Sequence, residues 1–342
     1  LYLDDALNAV TGDANDRVMP YPSGEYDVER TVSDPDGTYL MLVRKYPDAG
    51  DRKDLSNEER YRHPLVLLTF PPGSRNATVR ELDLQDKFIG EMLFLQPEND
   101  DDAIVCAGFY GNKAEHGMRG TFFLRLDRRT KEVAHRSFRE LETKLVGSPV
   151  AFGEKLTKRI EAEQDQRRFL PRNIVRRADG GAALVAEQAY DYRVTETFNG
   201  RTTSTRHYVR NNILVVCADV RSEIQWVTNI PKWQSVEHTD NYGSFALAQQ
   251  GEALYFLFND RDGNIPEPTD GVGVFNLIGD DNNVTLVTLD REGSMVRELF
   301  MGSEHKPFLL IPASCKPLDD GRFFISTKNL DREMRFGFVT FD

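Results

Sequence analysis

ADGGAALVAEQAYDYRV, residues 178–194, holds the grammar that decides the fold. Asp and Gly tolerate positive φ and suit a tight turn; a continuous apolar run of strand length follows, and it ends in polar residues. Four other stretches share this form: residues 37–46 (GTYLMLVRKY), 102–111 (DAIVCAGFYG), 252–260 (EALYFLFND) and 321–329 (GRFFISTKN). Each follows its own turn, DPDG at 34–37, ENDDD at 98–102, QQGE at 249–252 and DDGR at 319–322. We designate these runs the second strand, B, of a repeat.

A third strand, C, follows each B, at residues 64–70, 121–127, 212–219, 284–290 and 335–342. Four of these lead through PPGSRN, RRTKE, VRSE or REGS into a fourth strand, D, at 78–84, 133–141, 224–230 and 295–300. A first strand, A, precedes B at 89–95, 170–176, 244–248 and 308–311. The B strands begin about seventy residues apart, which is long for a solenoid and suits a four-stranded blade with insertions. A β-sandwich also has short strands at regular spacing, but it predicts no four-strand grammar recurring five times. The sequence therefore predicts an all-β chain, a single β-propeller domain over 1–342 with blades at about 26–84, 88–141, 169–232, 243–300 and 308–342. Closure removes exposed sheet edges, so residues 1–8 are expected to supply the last blade's missing strand, unless sequence before Leu1 carries further blades.

Composition agrees with a folded chain: 342 residues, 39% hydrophobic and 29% charged. No apolar stretch approaches the roughly 18 residues of a membrane-spanning helix. Forty-three basic against 55 acidic residues give a net charge of -12, which opposes a phosphate backbone, so nucleic acid is not an expected partner. Cys106, Cys217 and Cys315 lie apart in apolar runs and read as buried thiols, not a disulfide framework. The chain opens on Leu1 rather than Met, as a processed product would.

Antiparallel order places the A–B and C–D turns at one end of each blade and the B–C and D–A connections at the other. The tight turns all belong to the first set. The long segments, at 47–63, 112–120, 191–211, 261–283 and 142–168, belong to the second, and binding commonly resides in such loops. Residues 153–168 have helix-forming composition with a narrow apolar face at Leu156 and Ile160, which suits a solvated surface helix. Residues 191–210 alternate polar and β-prone residues around Asn199-Gly200, the signature of a protruding hairpin. On it Tyr192, Phe198 and Tyr208 are candidate contacts for a sugar or a protein, against the plainer alternative of packing across the hairpin.

No short catalytic, phosphate-binding or dinucleotide-binding signature occurs, and no cofactor is expected. The six histidines are dispersed without metal-ligand spacing. NDRDGN at 259–264 alternates oxygen donors, but Gly263 is off the position a calcium loop requires and no glutamate closes it, so it reads as a polar turn. The polar B-strand ends stand out: Arg44 and Lys45, Tyr110, Glu187 and Gln188, Asn259 and Asp260, Lys328 and Asn329. Such groups inside a blade must be hydrogen-bonded, so they either brace the loops or line a binding rim. Glu187 and Asp260 are the one acid pair to consider for glycoside hydrolysis.

The stretches DDAIVCAGFYGN, GTFFLRLDRRTKEV, GGAALVAEQAYDYRV, NNILVVCADVRSEIQWVTNIPKWQ, YGSFALA, LYFLFND and VTLVTLDREGSMVRELF resemble an uncharacterised family of exported, β-propeller-like proteins of the Bacteroidota, over about residues 78–300. After Pro312 the resemblance fades. It implies an exported protein, periplasmic, outer-membrane-associated or extracellular, and carries over no catalytic residue. The expected function is a non-catalytic scaffold or ligand-binding propeller of the cell envelope that meets a protein or glycan through the long-loop face. A propeller glycan hydrolase and a structural subunit of an envelope assembly are the alternatives.

Overall fold

The computed structural model describes residues 17–34, 36–48, 50, 55, 57–85, 87–95, 103–112, 115–142, 169–265, 272–277, 279, 281–302, 308–318, 320–329 and 333–341. Among them the fold class is all-β, made of the successive four-stranded antiparallel sheets of a β-propeller. The first sheet is β1 (Tyr26–Ser33), β2 (Tyr39–Lys45), β3 (Leu65–Phe70) and β4 (Thr78–Glu81), with a one-turn helix, α1 (Asn57–Tyr61), between β2 and β3. The second is β5 (Phe88–Leu95), β6 (Ile104–Asn112), β7 (Glu115–Leu126) and β8 (Val133–Glu140). The third is β9 (Phe169–Arg176), β10 (Ala182–Phe198), β11 (Arg201–Ala218) and β12 (Ile224–Ile230), joined by β13 (Gln234–Glu237), which pairs with β11. The fourth is β14 (Ala246–Gln250), β15 (Ala253–Arg261), β16 (Asn282–Leu289) and β17 (Met295–Met301). The fifth holds β18 (Leu309–Leu310), β19 (Lys316–Pro317), β20 (Phe323–Lys328) and β21 (Met334–Val339). Residues Leu1–Leu141 with Ala218–Ile224 form one compact unit, and Glu142–Cys217 with Gln225–Asp342 form another.

Turn chemistry sets the strand boundaries. In the described A–B turns Gly37, Gly180, Gly251 and Gly321 all have positive φ, a region glycine enters without a Cβ clash. The C–D turns repeat the device with Gly73, Lys131, Ser222 and Gly293. An aspartate before the turn clamps it: Asp290 Oδ1 accepts from the backbone N–H of Glu292 and Ser294, and Asp219 Oδ1 from Arg221 and Glu223.

The central strands are apolar without alternation because both faces are covered. On β15, Leu254, Phe256 and Phe258 pack with Val185, Ile213 and Val215 of the third sheet. The intervening Tyr255 and Leu257 pack with Leu310, Phe323 and Ile325 of the fifth. In the other unit, Leu40, Leu42, Leu65 and Leu67 of the first sheet meet Ile104, Cys106, Phe122 and Leu124 of the second.

Several expectations change. Residues 112–120 are not a free loop, because the β6–β7 ladder continues to the pair Asn112↔Glu115; polar residues hid a ladder that runs past the core. The first strand of the fifth sheet is split into β18 and β19, both pairing with β20, by a 3-10 turn at Pro312–Ser314. Pro312, lacking an N–H, opens that turn. Helix α1 was not foreseen within 47–63. The helix expected at 153–168, the ring-closing strand at 1–8 and the ENDDD turn at 98–102 lie outside the described residues.

Phe256 is fully buried in the core between the third and fourth sheets. Phe256→Ala should destabilise its unit by about 3–5 kcal/mol, read as a lowered urea midpoint with an unchanged slope.

Candidate functional site

Chemistry concentrates at the polar ends of the central strands, and the structure assigns nearly every one of these groups a partner. Arg44, at the end of β2, is fully buried. Its Nε donates to Glu29 at 2.8 Å, Nη1 to the His63 carbonyl at 3.1 Å, and Nη2 to the Ile89 and Gly90 carbonyls of β5 at 2.9 and 3.1 Å. Lys45 lies over the Tyr21 ring. Asn259, at the end of β15, does the same in the other unit: Nδ2 donates to the Leu310 carbonyl at 2.9 Å and Oδ1 accepts from the Leu310 N–H at 2.8 Å. In each case the end of one sheet's second strand is fastened to the first strand of the next sheet. Asn329, at the end of β20, exchanges hydrogen bonds with Glu333, just before β21.

Glu187 on β10 is the centre of the largest cluster and is fully buried. Its carboxylate accepts from Lys232 Nζ at 2.8 Å, Arg172 Nη2 at 2.9 Å and Ser244 Oγ at 2.9 Å, just before β14. Lys232, also fully buried, donates further to the Arg210 carbonyl and to Gln234 Oε1, each at 2.9 Å. Gln234 Nε2 passes the chain on to the Asn259 carbonyl at 2.8 Å. Burial pushes the Glu187 carboxyl up, but the Lys232 and Arg172 cations and the donated hydrogen bonds outweigh it and hold the group below the ordinary glutamate value. Burial draws the Lys232 ammonium down, with Glu187 opposing.

Asp260, the neighbour of Asn259, is buried against Arg297 Nη2 at 3.2 Å and accepts from Asn264 and Thr285. Here burial wins and its carboxyl is raised. Glu187 and Asp260 thus make their direct ion pairs with different cations, and their carboxyls are shifted in opposite directions. Both carboxylates of the acid pair considered for hydrolysis are fully buried and engaged by scaffold side chains. The NDRDGN stretch is a polar turn, with Asn264 bonded to both the carbonyl and the N–H of Gly273. Among the described residues no three His, Cys, Asp or Glu side chains converge as a metal site.

Tyr110 is a core residue edge-on to Phe138, with Lys87 over its ring. Gln188 is buried beside Glu187. The remaining candidates sit on the β10–β11 ribbon. β9 pairs with β10 only as far as Gln188, and β13 supports β11 only over His207–Arg210. Beyond them the ribbon runs on alone for about six residues per strand, roughly 20 Å at 3.3 Å per residue. At its base Tyr192 stacks flat on His207, centroids 4.7 Å apart, and its ring also lies near that of Tyr190. Arg206 and Arg210 lie over the Tyr208 ring, and both pair with Asp191. The Thr197 and Thr202 hydroxyls bond across the ribbon at 3.1 Å. At the tip Asn199 and Gly200 have φ of 48° and 74°, as a two-residue hairpin turn requires. Phe198 beside it is 78% exposed.

Of the eight candidate residues, the structure gathers Glu187, Asn259 and Asp260 into adjoining buried networks with Gln188 alongside. It puts Tyr192 and Tyr208 into packing across the ribbon and leaves Phe198 at the solvent. Sequence reasoning missed Lys232, Arg172 and Gln234. The available signal was Lys232 itself, a lone cation inside the compact stretch IPKWQ at 230–234.

No protein-family model and no curated protein sequence matches the chain. Among solved structures it is similar to the Dos1 propeller, at 7% identity over 87% of this chain and 65% of that one, with a TM-score of 0.36. It therefore spans just under two thirds of that protein. It is also similar to an α-L-arabinofuranosidase from Lactobacillus brevis, at 9% identity over 92% of each chain with a TM-score of 0.31. A levansucrase variant from B. megaterium matches at 9% identity over 93% of this chain and 83% of that one, with a TM-score of 0.31.

Removing one member of a buried ion pair strands the other, so Glu187→Gln should destabilise the protein by about 3–5 kcal/mol at neutral pH, with Glu187→Gln/Lys232→Met recovering much of the loss in a urea-denaturation cycle. Because the folded carboxyl is depressed, its contribution is complete above the unfolded value near 4.5 and disappears as pH falls through the folded value. The Glu187→Gln variant should lose that part of the stability slope below pH 4.5.

Proposed function

We propose that the protein is a non-catalytic binding module that holds a protein partner through the tip of the β10–β11 ribbon. One observation carries this reading: Phe198 stands 78% exposed at the end of a ribbon that leaves the sheet and contributes nothing to a core. A large aromatic at the end of a rigid arm is the side chain best suited to fill a partner's pocket, where binding energy concentrates. Along the ribbon Arg193, Arg201 and Arg206 are exposed. Residues 191–210 carry four arginines against two carboxylates in a chain whose net charge is -12. The complementary surface is an apolar socket rimmed by carboxylates, and this local reversal of sign favours one docking orientation.

A glycan would need free aromatic faces. The Tyr192 ring is stacked on His207 and the Tyr208 ring lies under two guanidinium groups, so the arm favours a protein over a sugar. The resemblance of residues 78–300 to exported propeller-like proteins supports placing this partner in the bacterial envelope.

The distal arm is exposed throughout residues 197–204, so Phe198→Asp should change stability by no more than about 0.5 kcal/mol. Affinity capture from native envelope fractions with quantitative mass spectrometry should show a partner retained by the native chain and reduced about thirtyfold by Phe198→Asp, the size of one interface anchor. Equal retention by both chains would remove the arm as the contact.

A further inference from the structure

Among the described residues the fifth sheet ends differently from the other four. In each of those the third strand is covered by a fourth, β4 on β3, β8 on β7, β12 on β11 and β17 on β16. The third strands are accordingly buried, nearly residue by residue in β3 and β16. β21 holds the third position in the fifth sheet, has an equally apolar sequence, MRFGFV, and is exposed along most of its length. Met334, Phe336 and Phe338 are 49%, 62% and 57% exposed. They alternate along the strand and so share one face, where Phe324 of β20 packs against both phenylalanines.

The backbone is equally poised. The Asn329 N–H donates to the Glu333 carbonyl at 3.0 Å, and the β20–β21 register runs unbroken from Lys328↔Met334 to Phe323↔Val339. Hydrogen-bonded pairs alternate in an antiparallel ladder, so the odd-numbered residues of β21 bond to β20. The N–H and C=O groups of Met334, Phe336 and Phe338 therefore point to the outer edge. Among the described residues no strand pairs there.

Natural edge strands are normally blunted by lysine, proline or a bulge. β21 has none of these. Its one charge, Arg335, is laid over the Phe308 ring at 3.8 Å. Arg322, held by Asp320, covers part of Phe338.

We propose that the β21 edge is a homodimer interface and that its occupant is the β21 strand of a second copy, antiparallel across a two-fold axis at Gly337. The sequence is self-complementary in this register. Phe336 falls opposite Phe338 of the other copy, and both have outward backbone groups, so the two residues exchange a full pair of hydrogen bonds. The axis repeats this for Phe338 and Phe336. Each new aromatic pair extends the row begun by Phe324, and aromatic cross-strand pairs are among those that stabilise a sheet. Arg335 faces Val339, so no like charges meet. The glycines face each other on the axis in a non-hydrogen-bonded pair, where the strands come closest. The interface is isologous, the form that closes as a dimer rather than growing into a fibre.

Sedimentation velocity on the full 342-residue chain, at increasing concentration, should show a monomer–dimer equilibrium. Phe336→Lys and Phe338→Lys, which add the charge that edges normally carry, should each weaken it about thirtyfold or more. A second measurement does not depend on how those variants fold. A Cβ at Gly337 meets only Ile325, at 3.5 Å, so Gly337→Cys is accommodated; in a Cys315→Ser background it should form an intermolecular disulfide on oxidation. A native chain that is monomeric throughout, a dimer indifferent to both lysines, or a Gly337→Cys chain that fails to cross-link would overturn the proposal.

Discussion

A strand buried on both faces has no room for an unpaired polar group, and the rest of this structure follows from how the central strands end. β15 places Phe256 and Phe258 on one side and Tyr255 and Leu257 on the other, and its side chains anchor two sheets at once. Where the apolar run stops, Asn259 does not turn to solvent but bonds the N–H and carbonyl of Leu310. Arg44 does the corresponding work on the β5 carbonyls. Apolar contact is non-directional and would tolerate two sheets sliding along each other. A two-point hydrogen bond between fixed backbone atoms does not, so the polar strand ends set the stagger that the cores leave open.

The Glu187 network extends this principle at higher stakes. A fully buried carboxylate and ammonium gain little net stability from each other, because both have left water. The arrangement holds because no donor of the Lys232 ammonium is idle: Glu187, the Arg210 carbonyl and Gln234 take one hydrogen bond each. Six segments meet there, β9, β10, β11, the β12–β13 link, β13 and the approach to β14. The same network supports the root of the ribbon, since the Arg210 whose carbonyl binds Lys232 also bonds Asp191 at the base of the arm. Rigidity at the root is what the anchoring role proposed for the exposed tip requires.

Strand order was legible in the sequence because it is locally encoded. Glycines and aspartates at fixed offsets announce each turn, and residues such as Gly180 and Gly251 have the positive φ that their position demands. The arm was legible for the same reason, from Asn199-Gly200 between β-prone runs. The role of the polar strand ends was not. In the sequence Glu187 is a polar strand end with no visible partner until Lys232, forty-five residues away, is brought to 2.8 Å. The sequence around Lys232 announces no partner, and a partner so distant along the chain leaves no periodicity to detect. The aromatic candidates divide likewise: Tyr192 and Tyr208 were ambiguous because their neighbours across the ribbon decide whether a ring face is free, whereas Phe198, next to the turn, has no neighbour beyond it.

β21 shows the limit of local reading most clearly. MRFGFV differs little in character from LVLLTF of β3, and both were read as third strands. Apolarity records what a strand is built to be covered by, not whether the cover is present. The outermost strands of the complete sheets confirm this by contrast. β8, VAHRSFRE, is largely exposed and interleaves charges with its apolar residues, as a strand that ends in water should. Among the described residues β21 occupies a sheet edge with the composition of an interior strand. A side chain's burial and a strand's place in its sheet normally agree; where they part, the sequence points to a contact that the described residues do not supply.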